Sequence, residues 1–259
     1  MIPKIIHYCW FGRSPKPSLV KKCIKSWKKY CKGYEIIEWN EDNFSIKDAP
    51  LFVRQAYETK KWAFVSDYVR LYAMVTVGGI YMDTDVEVVK PLDRFLVHEA
   101  FSGFEDESLI SAGIMACEKG FKLFDEFLHY YDGVKFILED GSLNMTPNTD
   151  IIAAICLRKG LVRNNTLQTV EGFTLYPNYV FSPIDAWSAE KNQTSETVTI
   201  HWFAGSWLPE DQKKEQKEYQ KQIKLKNKRA KKKERKAKLK ALFIKIFGEK
   251  FYNFIRRKK

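Results

Sequence analysis

The segment from Trp62 to Val89, WAFVSDYVRLYAMVTVGGIYMDTDVEVV, restricts the fold more than any other part of the chain. Its first half is apolar on nearly every side, which predicts a buried helix over about 62–77. Gly78 and Gly79 then end the helix, since glycine is common just past a helix end. The apolar run that follows them begins a strand. The segment therefore pairs a buried helix with the start of an apolar strand.

The N-terminal forty residues predict a βαβ unit. Residues 2–12, IPKIIHYCWFG, are β-rich and end in a glycine followed by a proline-containing loop. Apolar residues recur at helical spacing from Leu19 to Cys31, with lysines between them, and 34–39 reads as a second strand. Such a unit favours an α/β fold, with a parallel sheet and helices on its faces. Further strands are expected at 101–104, 110–116, 174–176 and 198–202, and helices from about 50, near 121–131 and at 150–159.

Charge divides the chain into two parts. Residues 210–259 hold 21 basic and 6 acidic side chains, whereas residues 1–209 hold 23 basic and 26 acidic ones. The net charge of +12 therefore comes from the tail and not from the body. We predict one α/β domain over 1–209 and a basic helical tail over 210–259.

Asp67 and Arg70 lie three residues apart on the apolar helix and so share one face. An ion pair on the surface is the usual explanation of this spacing. Charges surrounded by apolar residues must instead be paired or face a polar cavity. We expect the pair to line a cleft, where it would bind hydroxyls or phosphate.

Asp83 and Asp85 follow the apolar strand directly. Side chains at i and i+2 project to the same side of an extended segment, and two such carboxylates repel each other unless a cation lies between them. A D-x-D of this kind can hold Mg²⁺ or Mn²⁺, with a diphosphate in the remaining positions. A D-x-D also occurs by chance in ordinary turns. The prediction of a cation site therefore rests on the buried helix and the double glycine that precede the motif.

His201 ends a β-branched run and opens the sequence HWFAGSW. As a borderline ligand it would complete the cation site of Asp83 and Asp85, with Ser206 and Trp207 near the diphosphate. The alternative is a histidine with a structural role in a strand. Asn148 and Asp150 mark a predicted helix start, with Thr149 as its cap.

Three segments carry a resemblance to a known family: IPKIIHYCWFG, SDYVRLYAMVTVGGIYMDTDVEV and TIHWFAGSW. In their order and spread over residues 2–207 they resemble glycosyltransferase family 32, the D-x-D sugar transferases related to capsular polysaccharide enzymes and yeast α-mannosyltransferases. The resemblance implies a GT-A (Rossmann-like) fold, a divalent metal, a nucleotide-sugar donor and transfer with retention of anomeric configuration.

The same resemblance, with a more distant one to the large glucosylating bacterial toxins, implies roles for the site residues. Trp10 would stack on the donor base, although a strand tryptophan is more often part of a core. Asn148 or Asp150 would face the sugar near the reaction centre, beside Asp85. By the same resemblance, Asp67 and Arg70 would bind the donor sugar, and Asp83 and Asp85 would bind the ribose and the metal. Ser206 and Trp207 would belong to a loop that closes over the diphosphate.

We predict a metal-dependent retaining hexosyltransferase that uses a UDP-linked donor, Mn²⁺ or Mg²⁺, and a glycan or lipid-linked glycan acceptor of surface-polysaccharide synthesis. A nucleotidyltransferase would need a further carboxylate on a neighbouring strand and a phosphate-cradling Gly-Ser loop, and neither is found in the sequence. A nucleic-acid-binding protein acting through the basic tail would need basic and exposed aromatic residues across the body, which is acidic.

The sequence predicts a cytoplasmic protein on the inner face of a membrane. No signal-peptide pattern opens the chain, and five cysteines without C-x-x-C spacing suit a reduced core. Near the end, the apolar runs 241–247 and 251–255 precede the basic residues 256–259, a composition typical of a helix at an anionic membrane surface. Docking of this segment on the body is the alternative.

Overall fold

The structure is a computed structural model that describes residues 1–205, 208 and 210–247. It divides into two compact units, one of residues 1–186 with 190–207 and the other of 187–189 with 208–259. The strands are β1 (Ile5–Cys9), β2 (Glu35–Trp39), β3 (Gly79–Met82), β4 (Val86–Val88), β5 (Ala100–Gly103), β6 (Ile114–Cys117), β7 (Gln168–Val170), β8 (Phe173–Tyr176) and β9 (Thr199–His201). The helices are α1 (Ser18–Tyr30), α2 (Leu51–Glu58), α3 (Trp62–Thr76), α4 (Lys122–His129), α5 (Asn148–Arg158), α6 (Asn178–Phe181) and α7 (Glu210–Phe247).

A seven-stranded mixed sheet with the order β2-β1-β3-β6-β5-β8-β7 forms the centre of the first unit. The pairs β1–β2, β1–β3 and β5–β8 are parallel, and β6 runs antiparallel to both of its neighbours. Tyr81 belongs to one hydrophobic cluster, while Ile80 and Met82 belong to the other, so each face of β3 packs on its own core. The predicted βαβ unit and α/β class are confirmed.

A second, small sheet pairs β4 with β9 in antiparallel register, with Val86 opposite His201. Trp27 of α1 supports it from the side, because its Nε1 donates a hydrogen bond to the carbonyl oxygen of Val86 at 2.7 Å. This sheet lies directly after the D-x-D in the chain and fixes the end of that motif.

The predicted bounds of one strand and the predicted cap of one helix are wrong. The strand expected at 110–116 is confined to β6, apart from an isolated bridge between Ile110 and Phe104. The carbonyl groups of Ala112 and Gly113 accept hydrogen bonds from Arg70 and from the N–H of Asp83 instead. Helix α5 begins at Asn148 after the extended Pro147, so Thr149 lies within the first turn and is not the cap. The short elements β7 and α6 were not predicted.

Gly78 and Gly79 explain how α3 can end so close to the sheet. Both have positive φ, 77° and 118°. A Cβ at Gly79 would lie 2.7 Å from the carbonyl oxygen of Ile5 and 3.1 Å from His7 Nε2. Glycine therefore permits both the turn and the close approach of β3 to β1.

His7 is a buried histidine in β1, where it pairs in register with Tyr81 of β3. Trp39 Nε1 donates to its Nδ1 at 3.0 Å, and its Nε2 lies 2.9 Å from the carbonyl oxygen of Gly78. Indole is only a donor and a carbonyl only an acceptor, so these partners select the neutral ring with its proton on Nε2. Burial lowers the pKa of His7 to about 4, although the Gly78 carbonyl opposes the shift.

The second unit contains α7, so the part of the predicted tail over 210–247 is helical. Its predicted apolar residues 251–255 and basic residues 256–259 lie outside the described residues. Among the helices described, none is both long enough and apolar enough to cross a bilayer.

We expect the free energy of unfolding to fall by about 3 kcal/mol as the pH drops from 6.5 to 4, through His7 alone. The pKa of His7 is lower in the folded state, so the unfolded chain binds more protons in this window and stability is lost on acidification. Urea titrations at several pH values would compare the protein with His7→Gln, which keeps one donor and one acceptor, and with the exposed control His129→Gln. If the unfolding free energy of His7→Gln fell with pH as steeply as that of the original protein, the pH dependence could not be assigned to His7.

Candidate active site

Three predicted metal ligands meet at one end of the two sheets. Asp83 and Asp85 lie between β3 and β4, and His201 ends β9. One ligand atom from each lies within 4.8 Å of the other two. The pairing of Val86 with His201 accounts for this, because it brings the last residue of β9 beside the residue that follows the D-x-D.

Asp85 is held from two sides by the chain that leaves β9. Its Oδ2 accepts a hydrogen bond from the backbone N–H of Ala204 at 2.7 Å, and its Oδ1 lies 3.3 Å from His201 Nε2. Burial opposes ionisation of Asp85, but the charge of His201 and the Ala204 N–H outweigh it and hold the pKa of the carboxyl below its ordinary value. Asp85 is therefore a preorganised anion.

His201 has an orphaned nitrogen. Its side chain is buried, 8% of the residue being exposed, and Nδ1 has no hydrogen-bond partner in the structure. Burial lowers the pKa of His201, but the carboxylates of Asp85, Glu105 and Asp83 raise it to about 9. A site that favours a positive charge so strongly, with two carboxylates and an unsatisfied imidazole nitrogen, fits a divalent cation such as Mn²⁺.

Asp83 is oriented from the side of the buried helix. Its Oδ1 accepts a hydrogen bond from the Tyr81 hydroxyl at 2.8 Å and lies 3.3 Å from Arg70 Nη2. Its backbone N–H donates to the carbonyl oxygen of Gly113 at 2.8 Å. Both the side chain and the backbone of this residue are thus fixed.

Asp67 and Arg70 form a buried pair, 9% and 6% exposed, with 3.0 Å between Arg70 Nη2 and Asp67 Oδ1. Arg70 Nη1 also donates to the carbonyl oxygen of Ala112 at 2.7 Å. Burial raises the pKa of Asp67 to about 6 against the opposing charge of Arg70. The structure therefore connects this pair to the D-x-D through Asp83, and its contact with a donor sugar stays a prediction.

Asn148 and Asp150 occupy different environments at the start of α5. Asn148 is 2% exposed, its Nδ2 donates to the backbone carbonyl of Asp67 at 2.7 Å, and its Oδ1 has no partner in the structure. Asp150 is exposed in the first turn of the helix. The fold brings Asn148 to the Asp67–Arg70 pair and leaves Asp150 at the surface.

Trp10 lies just past the end of β1 and is partly buried. Its Nε1 donates to the carbonyl oxygen of Ser14 at 2.7 Å, and the Lys16 ammonium lies 5.6 Å from the centroid of its ring. The other two predicted donor residues, Ser206 and Trp207, lie outside the described residues.

Glu105 is a carboxyl group that the sequence analysis did not single out and whose charge interacts with those of Asp83, Asp85 and His201. Burial raises its pKa to about 7; the charge of His201 lowers it, while those of Asp83 and Asp85 raise it. The signal was present in the sequence, because Glu105 follows the apolar strand β5 closely, just as Asp83 follows β3.

Gly113 was missed as well. A Cβ at this position would lie 2.7 Å from His201 Cε1, 2.8 Å from His201 Nδ1 and 3.4 Å from Asp83 Oδ2. Only a residue without a side chain leaves the imidazole in its place beside the carboxylates.

We expect Gly113→Ala to weaken Mn²⁺ binding about tenfold or more, since the added methyl group must displace the His201 ring. Isothermal titration calorimetry with Mn²⁺ would measure the effect. Gly103→Ala is the matched control, because its Cβ would crowd Phe181 at 2.9 Å. We expect that variant to lose thermal stability and keep its Mn²⁺ affinity. Equal Mn²⁺ affinity in both variants would contradict the proposed place of His201.

Residues 17–102 match the protein family described as "Glycosyltransferase sugar-binding region containing DXD motif". The matched region includes Asp67, Arg70, Asp83 and Asp85. A curated relative, inositol phosphoceramide mannosyltransferase 3 of Schizosaccharomyces pombe, is 32% identical over 126 residues, which make up 46% of this chain and 34% of the relative. The chain thus spans about a third of the length of that relative.

Solved structures similar to this chain include the PaToxG glycosyltransferase, with a TM-score of 0.46, 19% identity and coverage of 61% of this chain and 70% of that one. Another is a glycosyltransferase involved in the glycosylation of the major capsid of PBCV-1, with a TM-score of 0.46, 12% identity and coverage of 86% and 100%. The match of residues 17–102 to a glycosyltransferase sugar-binding region containing a D-x-D motif agrees with the predicted resemblance.

Proposed function

We propose that the chain is a metal-dependent glycosyltransferase that moves a hexose from a UDP-linked sugar to a glycan or lipid-linked glycan, with retention of configuration. The observation that carries the proposal is the convergence of His201 with Asp83 and Asp85, the two acids of the region matched to sugar-binding D-x-D domains. A bound Mn²⁺ or Mg²⁺ would offset the negative charge that develops on the departing diphosphate.

The residues of the chain prepare this site before a donor arrives. Ala204 and His201 fix the two oxygens of Asp85, and Tyr81 and Arg70 fix one oxygen of Asp83. Carboxylates that are already oriented need little rearrangement on binding, so more of the interaction energy is available in the transition state.

The donor sugar would lie toward Asp67, Arg70 and Asn148. The unpartnered Oδ1 of Asn148 is a hydrogen-bond acceptor, and a buried acceptor of this kind is costly unless a hydroxyl satisfies it. Arg70 gives that part of the site a positive charge beside the carboxylates. This arrangement supports the predicted contact between α3 and the sugar.

We propose front-face transfer. The bond between the anomeric carbon and the phosphate oxygen breaks, the acceptor oxygen bonds to the same face, and the acceptor proton passes to the departing phosphate oxygen. Asp67 already binds Arg70, and Asp83 binds the Tyr81 hydroxyl. Asp85 is held by His201 and by the N–H of Ala204, so all three carboxylates are poorly suited to attack carbon.

The proposed acceptor is a surface-polysaccharide intermediate carried by lipid. Two observations support it: a relative is named for mannose transfer to inositol phosphoceramide, and α7 carries 16 basic and 5 acidic residues. Five free, buried cysteines support the proposed cytoplasmic location.

We expect Asp85→Ala to abolish Mn²⁺-dependent hydrolysis or transfer of nucleotide sugars while the protein stays folded, because the cation would lose its best-oriented ligand. The measurement is release of the nucleoside diphosphate from a panel of nucleotide sugars with and without Mn²⁺. Glu107→Ala, an exposed acid of the loop that also carries Glu105, is the control and should keep full activity. Undiminished, metal-independent activity of Asp85→Ala would refute the proposal.

We expect deletion of residues 211–259 to abolish sedimentation with anionic vesicles, since each basic residue near anionic lipid contributes about 1 kcal/mol. Co-sedimentation with phosphatidylglycerol-containing vesicles would compare the two proteins, with thermal unfolding as the test of folding. If the full chain does not sediment, or sediments equally well without the tail, this part of the proposal fails.

A further inference from the structure

The first helix of the body presents a stripe of lysines to solvent. Lys21, Lys25 and Lys28 follow one another at spacings of four and three, which places them on one side of α1, and all three are exposed. Lys32 follows in the turn after the helix, and is also exposed. The lysine face of α1 is defined by these four residues.

The opposite side of α1 attaches it firmly to the body. Val20, Cys23 and Trp27 are buried, and the Trp27 indole donates to the carbonyl oxygen of Val86. The hydroxyl of Ser26 accepts a hydrogen bond from the N–H of Val88 at 2.9 Å. Because α1 is fixed to β4, its lysine face has a fixed direction relative to the D-x-D that precedes this strand.

The positive charge of residues 1–209 is concentrated in the segment that contains α1. Residues 16–32 contain seven lysines and no acid, whereas the rest of residues 1–209 contains 16 basic and 26 acidic side chains. Glu38 pairs with Lys16 at 2.8 Å and Glu87 pairs with Lys22 at 2.7 Å. In the part of the chain that the structure describes, the four lysines of the face have no carboxylate partner.

Folding alone does not explain this composition. Like charges three and four residues apart destabilise a helix, and an acid at either spacing would stabilise it instead. The first turn of α1 also lacks the acid that the helix dipole favours. The lysine face therefore lowers the stability of its own helix. Such a cluster of like charges is expected where the charges bind a partner.

We propose that the lysine face of α1 docks the body on an anionic lipid membrane. All seven basic residues of 16–32 are lysines, and none is an arginine. Lysine is a hydrated point charge suited to the diffuse potential of a lipid surface, whereas planar bidentate recognition of single phosphates favours arginine. The inference builds on the proposed membrane attachment, but it assigns a contact to the body that is separate from the tail.

The test compares two triple variants of the full chain with the same change in net charge. One is Lys21→Glu, Lys25→Glu, Lys28→Glu, and the other is Lys47→Glu, Lys122→Glu, Lys135→Glu at exposed positions outside α1. Partitioning onto vesicles of phosphatidylcholine with phosphatidylglycerol is measured by co-sedimentation, beside vesicles of phosphatidylcholine alone. We expect the α1 variant to bind anionic vesicles about tenfold more weakly or worse, and the control variant less than about threefold more weakly.

The outcomes separate this inference from the earlier proposals. Equal losses in the two variants would mean that only net charge matters and would overturn the inference. Unchanged binding of the α1 variant, together with lost binding on deletion of the tail, would overturn it and leave the tail proposal standing. A larger loss of binding to an RNA duplex than to vesicles would assign the face to nucleic acid instead. Release of nucleoside diphosphate should be equal in both variants, since neither changes the metal or sugar site.

Discussion

A guanidinium buried inside a protein must be surrounded by acceptors, and Arg70 meets this requirement with three different parts of the chain. It contacts Asp67 on its own helix, Asp83 after β3, and the carbonyl of Ala112 before β6. Removing one partner of a buried ion pair typically costs several kcal/mol, because it leaves the remaining charge uncompensated. The helix, the D-x-D and the loop of Gly113 are thus held in one arrangement by a single side chain.

That arrangement also keeps the two carboxylates of the D-x-D side by side. Two neighbouring carboxylates would repel each other, but Asp83 is neutralised through Arg70 and Asp85 through His201. The two acids therefore remain close together between β3 and β4. The compensating charges come from two different elements, Arg70 from α3 and His201 from β9.

The parts of the fold that could be predicted are those whose sequence pattern lies within a short stretch of the chain. The first βαβ unit, the buried helix α3 and the strand before the D-x-D follow from hydrophobic periodicity and the position of the double glycine, all within short windows of sequence. The pairing of β4 with β9 joins residues more than a hundred positions apart, so the sequence suggested His201 as a ligand without excluding a structural role.

The missed features depend on tertiary contacts. Residues 110–113 have a sequence suited to a strand, but the carbonyl groups of Ala112 and Gly113 accept hydrogen bonds from Arg70 and Asp83 instead. Glu105 acquires its raised pKa from burial among the other charges of the site, a property of three-dimensional placement. Asn148 and Asp150 are two residues apart in one helical turn, yet Asn148 is buried against the backbone of Asp67 in α3 and Asp150 is exposed.

The small sheet of β4 and β9 has a consequence for biosynthesis. Val86 and Val88 are fully buried in the folded protein, and their antiparallel partners are Thr199 and His201. At ordinary rates of translation the ribosome needs on the order of ten seconds to make the intervening chain. During that interval β4 is an unpaired apolar strand on a nascent polypeptide. Chaperones that bind exposed strands during translation would therefore bind this protein next to its D-x-D. Their binding site would be covered once β9 has been made and has paired with β4.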